Sequence, residues 1–402
     1  MRYVVILGDG MADLPINSLG DKTPLQVADK PYMDKFAKIG IMGQIKTVYD
    51  GLSPGSDVAN LCVMGFDTSK NYSGRSPLEA ASIGVSLCDT DITYRANLVT
   101  LSEEEDYKDK TMVDYSAGEI TSSEAKELIE AVQEALGNES YSFYAGVSYR
   151  HLLLRKDMKK AGKLIPPHDI SGKKIGEYVP QDEIIYDFMV KSYEILKDHP
   201  VNKKRISEGK NPANSIWVWG EGTKPQLENY KEKFGISGSV ISAVDLIKGI
   251  AILSGLKSIY VEGATGTVHT NFEGKAKAAI EALKNGDEFL YIHLEAADES
   301  GHQGSIEDKI KSIELIDEKI IKPIYEYLIE TQEEFRLLVL PDHPTPIELK
   351  THTREPVPFV LIKDTDKEIK NNFIYSEEDS KKSGIFIEKG HTLMYNIVKN
   401  KI

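Results

Sequence analysis

Carboxylate and imidazole side chains occur in this sequence shortly after apolar, strand-like runs. They are Asp9, the pair Asp298 and His302, and the adjacent pair Asp342 and His343. An Asp and a His four residues apart lie on one face of a helical turn and can bind one cation together. His352 follows Asp342 by ten residues, so three of the nine histidines accompany these carboxylates. Taken singly, each residue also fits a turn or a helix cap, but the combination predicts a two-metal site.

Ser56 is the candidate nucleophile. It lies in the turn Pro54-Gly55-Ser56, directly before an apolar helical segment. The backbone N–H groups at the start of a helix favour an anion there. One interpretation is that the hydroxyl only caps the helix; the other is that a metal lowers its pKa and makes it a nucleophile. A hydrolase triad is not indicated, because no Gly-x-Ser-x-Gly motif is present.

Two nucleotide-binding motifs are absent, and their absence reduces the number of reaction types to consider. The sequence has no Gly-x-x-x-x-Gly-Lys-Ser/Thr run and no Gly-x-Gly-x-x-Gly after a strand. The first absence excludes a P-loop kinase, and the second disfavours a dinucleotide cofactor.

Charge and cysteine content point to an acidic protein of a reducing compartment. Lys and Arg total 49 and Asp and Glu total 63, which gives a net charge of −14. We therefore expect no nucleic-acid partner and no membrane-surface partner. Two cysteines exclude a disulfide scaffold and a four-cysteine zinc site. No run approaches the ~20 apolar residues of a membrane helix, and the N-terminal apolar run resembles a buried strand, so we predict a cytoplasmic protein.

The elements that must position these residues alternate between strand and helix. Strand-like runs cover residues 3–7, 43–47, 258–261, 289–293, 336–340 and 359–362, and helical patterns cover residues 32–38, 274–283 and 306–329. This alternation predicts an α/β fold with a mostly parallel sheet flanked by helices. The length of 402 residues favours two domains.

The middle of the chain has a different pattern. Strand-like pieces at residues 92–98, 112–115, 141–145 and 151–154 accompany one helical stretch at residues 122–136. We predict an inserted, smaller α+β cap domain at residues 89–182. The main domain is then discontinuous, with residues 1–88 and 183–402. Residues 363–384 are charged and weakly patterned, which predicts an exposed loop.

Taken together, these motifs resemble the cofactor-independent phosphoglycerate mutases of the archaeal type, within the alkaline phosphatase superfamily. The resemblance extends over nearly the whole chain and includes the carboxylate and histidine sites above. Its other segments are Gly8-Asp9-Gly10-Met11-Ala12-Asp13, Pro54-Gly55-Ser56-Asp57-Val58-Ala59-Asn60, Gly74-Arg75-Ser76-Pro77-Leu78-Glu79-Ala80-Ala81, Tyr149-Arg150-His151-Leu152-Leu153, Pro166-Pro167-His168-Asp169-Ile170, Trp217-Val218-Trp219-Gly220-Glu221-Gly222 and Glu262-Gly263-Ala264-Thr265-Gly266.

The resemblance implies an alkaline-phosphatase-like fold with two divalent metal ions and no organic cofactor. Carried onto this chain, one metal would be held by Asp9, Ser56, Asp342 and His343, and the other by Asp298, His302 and His352. Oxygen and imidazole ligands suit Mn²⁺, Zn²⁺ or Co²⁺.

The implied reaction interconverts 3-phosphoglycerate and 2-phosphoglycerate through phospho-Ser56. The candidate substrate-binding residues are Arg75, Arg150, His151 and His168, because arginine binds phosphate and carboxylate bidentately. Asp169 is a weaker candidate for the base that activates the acceptor hydroxyl. Arg75 also fits an ion pair within its domain, and His168 a loop hydrogen-bond donor.

Other functions use the same residues. A metal-dependent phosphohydrolase would release phosphate from a small ester through the same Ser56. Some relatives are labelled homoserine kinases, which would mean phosphotransfer from ATP. A binding module without catalysis is disfavoured, since every implied metal position holds a suitable residue.

Overall fold

The computed structural model describes residues 1–156 and 159–402. The strands follow from the short β-branched and aromatic runs of the sequence. They are β1 (Arg2–Gly8), β2 (Ile41–Ile45), β3 (Ile92–Leu101), β4 (Met112–Asp114), β5 (Tyr141–Tyr144), β6 (Arg150–Arg155), β7 (Ser215–Thr223), β8 (Gly238–Ile241), β9 (Lys257–Ile259), β10 (Phe289–Leu294), β11 (Phe335–Leu340), β12 (Val357–Lys363) and β13 (Phe386–Ile387).

The helices mostly begin at polar capping residues or at proline. They are α1 (Pro24–Val27), α2 (Pro31–Ile39), α3 (Ser56–Val63), α4 (Thr68–Asn71), α5 (Ser76–Ser82), α6 (Ser122–Leu136), α7 (Glu183–Leu196), α8 (Pro200–Ser207), α9 (Tyr230–Phe234), α10 (Asp245–Leu253), α11 (Phe272–Lys284), α12 (Ala296–Gln303), α13 (Ile306–Ile316), α14 (Lys322–Thr331), α15 (Glu377–Lys382) and α16 (Thr392–Val398). A wider π-helical turn, Asp317–Ile321, joins α13 to α14. None of the described helices is both long and apolar enough to cross a bilayer.

The chain divides into two compact units. The first contains Met1–Tyr72 and Gln226–Ile402, and the second contains Ser73–Pro225. The boundaries predicted at residues 89 and 182 therefore fall inside the second unit. The reason is pairing: β7 lies antiparallel along β3, so the chain up to Pro225 belongs with the insert.

The first unit is built on an eight-stranded, mostly parallel sheet, which confirms the predicted α/β fold class. Its strand order is β13-β2-β12-β11-β1-β10-β8-β9. The central strands β8, β10, β1 and β11 are mutually parallel, whereas β12 is antiparallel to both β11 and β2. Apolar residues of β1, β10 and β11 pack with α2, α11, α13 and α14 in one buried core.

The second unit is an antiparallel five-stranded sheet in which β3 pairs with β4, β6 and β7. Its own core gathers side chains of β3, α6, α7 and β7, including the buried Trp217.

The segment 363–384 differs from the predicted exposed loop. It ends in α15, and Tyr375 and Ser380 are fully buried. The Tyr375 hydroxyl donates to the Pro358 carbonyl oxygen at 3.0 Å, which fixes the segment to β12.

Candidate active site

Three adjacent strands deliver the acidic residues to one edge of the first unit's sheet. β1 lies between β10 and β11 and is parallel to both. Carboxyl ends of neighbouring parallel strands meet at the same edge, where α/β folds bind ligands. Asp9 follows β1, Asp298 follows β10 in the first turn of α12, and Asp342 follows β11. The sheet topology therefore explains why residues more than 280 positions apart come together.

Gly10 allows the loop after β1 to approach α12 closely. Its φ is 64°, and a Cβ there would lie 2.6 Å from the Asp298 Cα. Any L-residue at this position would be strained and would collide with the backbone of a candidate ligand.

The first ligand group contains Asp9, Asp342 and His343, all fully buried. One ligand atom from each lies within 4.8 Å of the others. His343 Nε2 is 3.6 Å from Asp9 Oδ1 and 3.5 Å from Asp342 Oδ2. The Ser56 Oγ lies 3.3 Å from the same His343 nitrogen. These four residues are the set assigned to one metal from the sequence, and the structure brings them together.

Asp9 carries the clearest sign of an unsatisfied ligand. Among the described residues, its buried Oδ1 has no hydrogen-bond partner. Burial, Asp342 and Asp298 raise the pKa of Asp9 well above its usual range. A buried carboxylate oxygen without a donor is costly unless a cation offsets it. The donor set of this group therefore fits a divalent metal.

The second ligand group centres on Asp298. Its Oδ2 lies 3.3 Å from His302 Nε2, and its Oδ1 lies 3.3 Å from His352 Nε2. The two Nε2 atoms are 2.8 Å apart. His343 also stands close, since its ring centroid is 4.1 Å from that of His352. The two ligand groups are thus adjacent, with His343 in contact with both.

Backbone carbonyls orient the two histidines of the second group. His302 Nδ1 lies 3.0 Å from the Lys350 carbonyl oxygen, and His352 Nδ1 lies 3.4 Å from that of Pro54. An Nδ1–H that donates to a carbonyl leaves the Nε2 lone pair free to bind a metal. The hydrogen bond with Asp298 raises the pKa of His302 to about 9. Burial opposes ionisation of Asp298, but hydrogen bonds with His302 and His352 lower its pKa well below its usual range.

Ser56 is the first residue of α3, and its side chain does not cap the helix. The capping position is occupied by Gly55, and no side-chain cap hydrogen bond forms. The interpretation of Ser56 as a structural cap is therefore wrong. Its half-buried hydroxyl faces His343 at the helix start, where an anion is favoured.

Two positioning residues were missed by sequence reasoning. The Asn60 carboxamide donates to Asp342 Oδ2 and to the Ser56 carbonyl oxygen, both at 2.8 Å. The buried His293 Nε2 lies 3.0 Å from Asp9 Oδ2, and burial lowers its pKa to about 4. Because an ionised carboxylate only accepts, a neutral His293 holds the Oδ2 of ionised Asp9 through its Nε2–H. His293 is the next-to-last residue of β10, and no local pattern in the sequence shows that β1 lies beside it.

The predicted substrate-binding residues all belong to the second unit. Arg75 precedes α5, Arg150 begins β6, and both are exposed. His168 is exposed, and its ring lies 5.4 Å from that of Trp219. His151 is only 4% exposed, accepts from the Gly146 N–H at 3.1 Å, and burial lowers its pKa to about 3. Neutral and buried, His151 is not a cationic anchor for an anion.

Arg95 was not anticipated and joins the arginines of this unit. It lies on β3 with its Nε 3.1 Å from Glu79 Oε2, while Arg75 Nε is 3.1 Å from Glu79 Oε1. Its guanidinium stacks on Trp219, 4.4 Å from the ring centroid. Burial lowers the pKa of Arg95 against the opposing effect of Glu79, and the charges of Arg75 and Arg150 lower it further. Glu79 offsets part of this charge, and the remainder favours an anion.

Comparison with known proteins identifies the family to which this chain belongs. Residues 37–202 match the family model described as 2,3-bisphosphoglycerate-independent phosphoglycerate mutase. The chain is 49% identical to the mutase of that name from Methanosarcina barkeri, over 100% of both chains. A solved protein from Pyrococcus horikoshii superposes with a TM-score of 0.82 at 29% identity, covering 100% of this chain and 98% of that one. The cofactor-independent phosphoglycerate mutase of Thermoplasma acidophilum shares the fold, with a TM-score of 0.67, 24% identity and 99% of each chain covered. The chain belongs to the family of 2,3-bisphosphoglycerate-independent phosphoglycerate mutases.

Proposed function

We propose that this protein interconverts 3-phosphoglycerate and 2-phosphoglycerate without bisphosphoglycerate, and that Ser56 carries the phosphoryl group. The supporting observation is the Ser56 hydroxyl itself. It makes no helix cap, lies 3.3 Å from His343 Nε2, and stands at the start of α3 beside two ligand groups.

We assign one divalent metal to Asp9, Ser56, Asp342 and His343, and the other to Asp298, His302 and His352. The orphaned Asp9 Oδ1 and the orientation of the histidines support this assignment. When bound, such cations lower the pKa of a serine hydroxyl and offset the charge of phosphoryl oxygens. The mixed oxygen and imidazole donors suit Mn²⁺, Zn²⁺ or Co²⁺.

In the first half-reaction, Ser56 Oγ loses its proton and forms a bond to phosphorus. The bond between phosphorus and the glycerate oxygen breaks, and that oxygen takes up a proton. The N–H groups at the start of α3 hydrogen-bond to the anionic group during this step. In the second half-reaction, the other glycerate hydroxyl loses its proton and forms a bond to phosphorus, the bond between phosphorus and Ser56 Oγ breaks, and Ser56 Oγ takes up a proton again. Water must be excluded between the two steps, since it would hydrolyse phospho-Ser56.

We further propose that the second unit acts as the cap and binds the acidic groups of the substrate. Arg75 and Arg150 are exposed guanidinium groups, and Arg95 adds a third cation to the same region. His168 is an accessible hydrogen-bonding group, with Asp169 Oδ1 3.6 Å from its Nε2. We assign buried His151 to holding the strand that carries Arg150.

An assay with unlabelled and ³²P-labelled 3-phosphoglycerate tests this function. The metal-loaded protein, without bisphosphoglycerate or ATP, should produce 2-phosphoglycerate that retains the label. Release of inorganic phosphate without 2-phosphoglycerate would identify a phosphohydrolase instead. No turnover of 3-phosphoglycerate, together with phosphorylation of homoserine when ATP is supplied, would identify a phosphotransferase of the homoserine-kinase type.

A further inference from the structure

The loops that follow β1 and β11 are joined by a buried ion pair that lies outside the ligand groups. Lys309, on α13, and Asp13, in the loop after β1, have 0% and 1% side-chain exposure. Lys309 Nζ donates to Asp13 Oδ2 at 2.6 Å, to the Ala12 carbonyl oxygen at 3.2 Å and to the Thr345 carbonyl oxygen at 2.8 Å. An ammonium has three N–H donors, and all three are used.

The Asp13 carboxylate connects the same two loops from the other side. It accepts from the Ile347 N–H at 3.2 Å, and from the N–H of Leu14 in its own loop at 2.8 Å. The Thr345 N–H also donates to the Ala12 carbonyl oxygen at 3.2 Å. The ion pair thus holds the segment that follows Asp9 against the segment that follows Asp342 and His343.

Thr345 connects this contact to both ligand groups. Its hydroxyl donates to Asp298 Oδ1 and lies 3.4 Å from His343 Nδ1. Lys309 holds the carbonyl of this threonine, so the position of the threonine hydroxyl depends on the ammonium. The hydrogen bonds given above for Lys309 go to Ala12, Asp13 and Thr345, none of which is a proposed ligand.

We infer that Lys309 and Asp13 are positioning residues that set the spacing between the two metal-binding groups. The inference rests on the proposed metal ligands. Residues that orient metal ligands change metal affinity by about 10- to 100-fold when removed. Because both loops meet at this pair, its loss should weaken binding of both metals together.

The test is a calorimetric titration of the metal-free protein with Mn²⁺, combined with thermal unfolding of the metal-free form. Lys309→Met should weaken binding at both sites by about 10- to 100-fold. Asp13→Asn keeps the size of the side chain and should weaken binding less. The control is Lys30→Met, because Lys30 is 1% exposed and pairs with Asp34 Oδ1 at 2.8 Å on α2. It should lower the melting temperature and leave Mn²⁺ affinity unchanged.

Unchanged affinity in Lys309→Met and Asp13→Asn would overturn the positioning role. If Lys309→Met does not fold, Asp13→Asn decides alone. Equal weakening in Lys30→Met would also overturn it, since the effect would then be one of general stability. A wild-type protein that binds fewer than two Mn²⁺ ions would instead overturn the proposed metal sites.

Discussion

At the scale of single residues, two serines at helix starts differ in what their hydroxyl groups do. One stabilises its helix, and the other is left for chemistry. Ser305 caps α13, and its hydroxyl accepts from the Asp308 N–H at 3.3 Å. Ser56 begins α3 with no such bond. A capping hydroxyl contributes about 1 kcal/mol to stability, whereas an uncapped one can be kept for chemistry.

Ser56→Ala should therefore remove activity without unfolding the protein. Because no cap bond is lost, the free energy of unfolding should change by less than about 0.5 kcal/mol. Mutase turnover should fall at least about a thousandfold, since the covalent path is removed. Turnover of 3-phosphoglycerate and urea denaturation measure the two effects. Ser305→Ala is the control: it should lose about 1 kcal/mol of stability and keep its turnover. Substantial activity in Ser56→Ala would mean that another residue carries the phosphoryl group.

The sequence alone predicts a site residue only where the residue type itself indicates a chemical role. Six of the seven proposed ligands could be identified because they are carboxylates and histidines near the ends of apolar strand-like runs, and Ser56 could be identified because its segment matches a family pattern. Asn60, His293 and Lys309 could not, because their roles arise from contacts with residues more than 280 positions away. An asparagine within an apolar helix gives no local sign that Asp342 lies beside it.

At the scale of elements, apolar runs predicted most of the described strands to within a few residues, whereas the helical patterns located only α2, α3, α6, α11, α13 and α14. The parallel order β10-β1-β11 brings the ligands together, but no local pattern encodes which strands are neighbours. The extent of the second unit was missed for the same reason. Residues 183–225 contain the amphipathic helix α7 and the strand β7, and either unit could accommodate such elements. Only the pairing of β7 with β3 shows that these residues belong to the second unit.

The π-helical turn contains a buried residue, Asp317, whose effect on the free energy of unfolding can be tested. Its carboxylate accepts from the N–H groups of Tyr32 and Met33 at 3.0 and 2.7 Å and so caps α2. Burial raises the pKa of Asp317 to about 6, against the opposing effect of those two hydrogen bonds. The folded state therefore binds this proton more tightly than the unfolded chain does. The resulting stabilisation is complete below the unfolded pKa and is lost as pH rises through about 6.

Asp317→Asn should remove this pH dependence. As pH rises from about 5 to about 7, the free energy of unfolding of the wild type should fall relative to that of the variant. Urea denaturation at several pH values measures the difference. Asp182→Asn is the control of opposite sign: Asp182 caps α7, and Arg155 at 2.8 Å lowers its pKa despite burial. There the wild type should gain stability relative to the variant as pH rises from acid. A pH-independent difference for Asp317→Asn would contradict the expectation.

At the scale of the whole molecule, the buried carboxylates link metal binding to stability. Asp9, Asp298 and Asp342 are at most 6% exposed and lie together in a chain of net charge −14. Mutual repulsion destabilises the metal-free fold, and a cation that binds only the folded state stabilises it. At a free Mn²⁺ concentration about a hundred times Kd, each site should add about 2.7 kcal/mol.

Calorimetric unfolding should give the lowest melting temperature in EDTA and a melting temperature that rises with added Mn²⁺. Turnover should be lost in EDTA. In the double variant Asp9→Asn/Asp298→Asn, the dependence on Mn²⁺ should disappear. An EDTA-treated enzyme with full turnover would contradict the metal requirement.

The fate of the phosphoryl group depends on whether residues of the second unit retain the glycerate. If Arg150 binds its carboxylate, losing that charge-assisted bond costs about 1.5–3 kcal/mol, or about 10- to 100-fold in retention. Arg150→Ala should then slow 2-phosphoglycerate formation and raise the share of inorganic phosphate, because released glycerate leaves phospho-Ser56 to water. Both products are measured in one reaction. Lys126→Ala is the matched control, since the exposed Lys126 of α6 pairs, within the described residues, with Glu130 of the same helix, and its product ratio should equal the wild type's. A normal ratio in Arg150→Ala would assign retention to another residue.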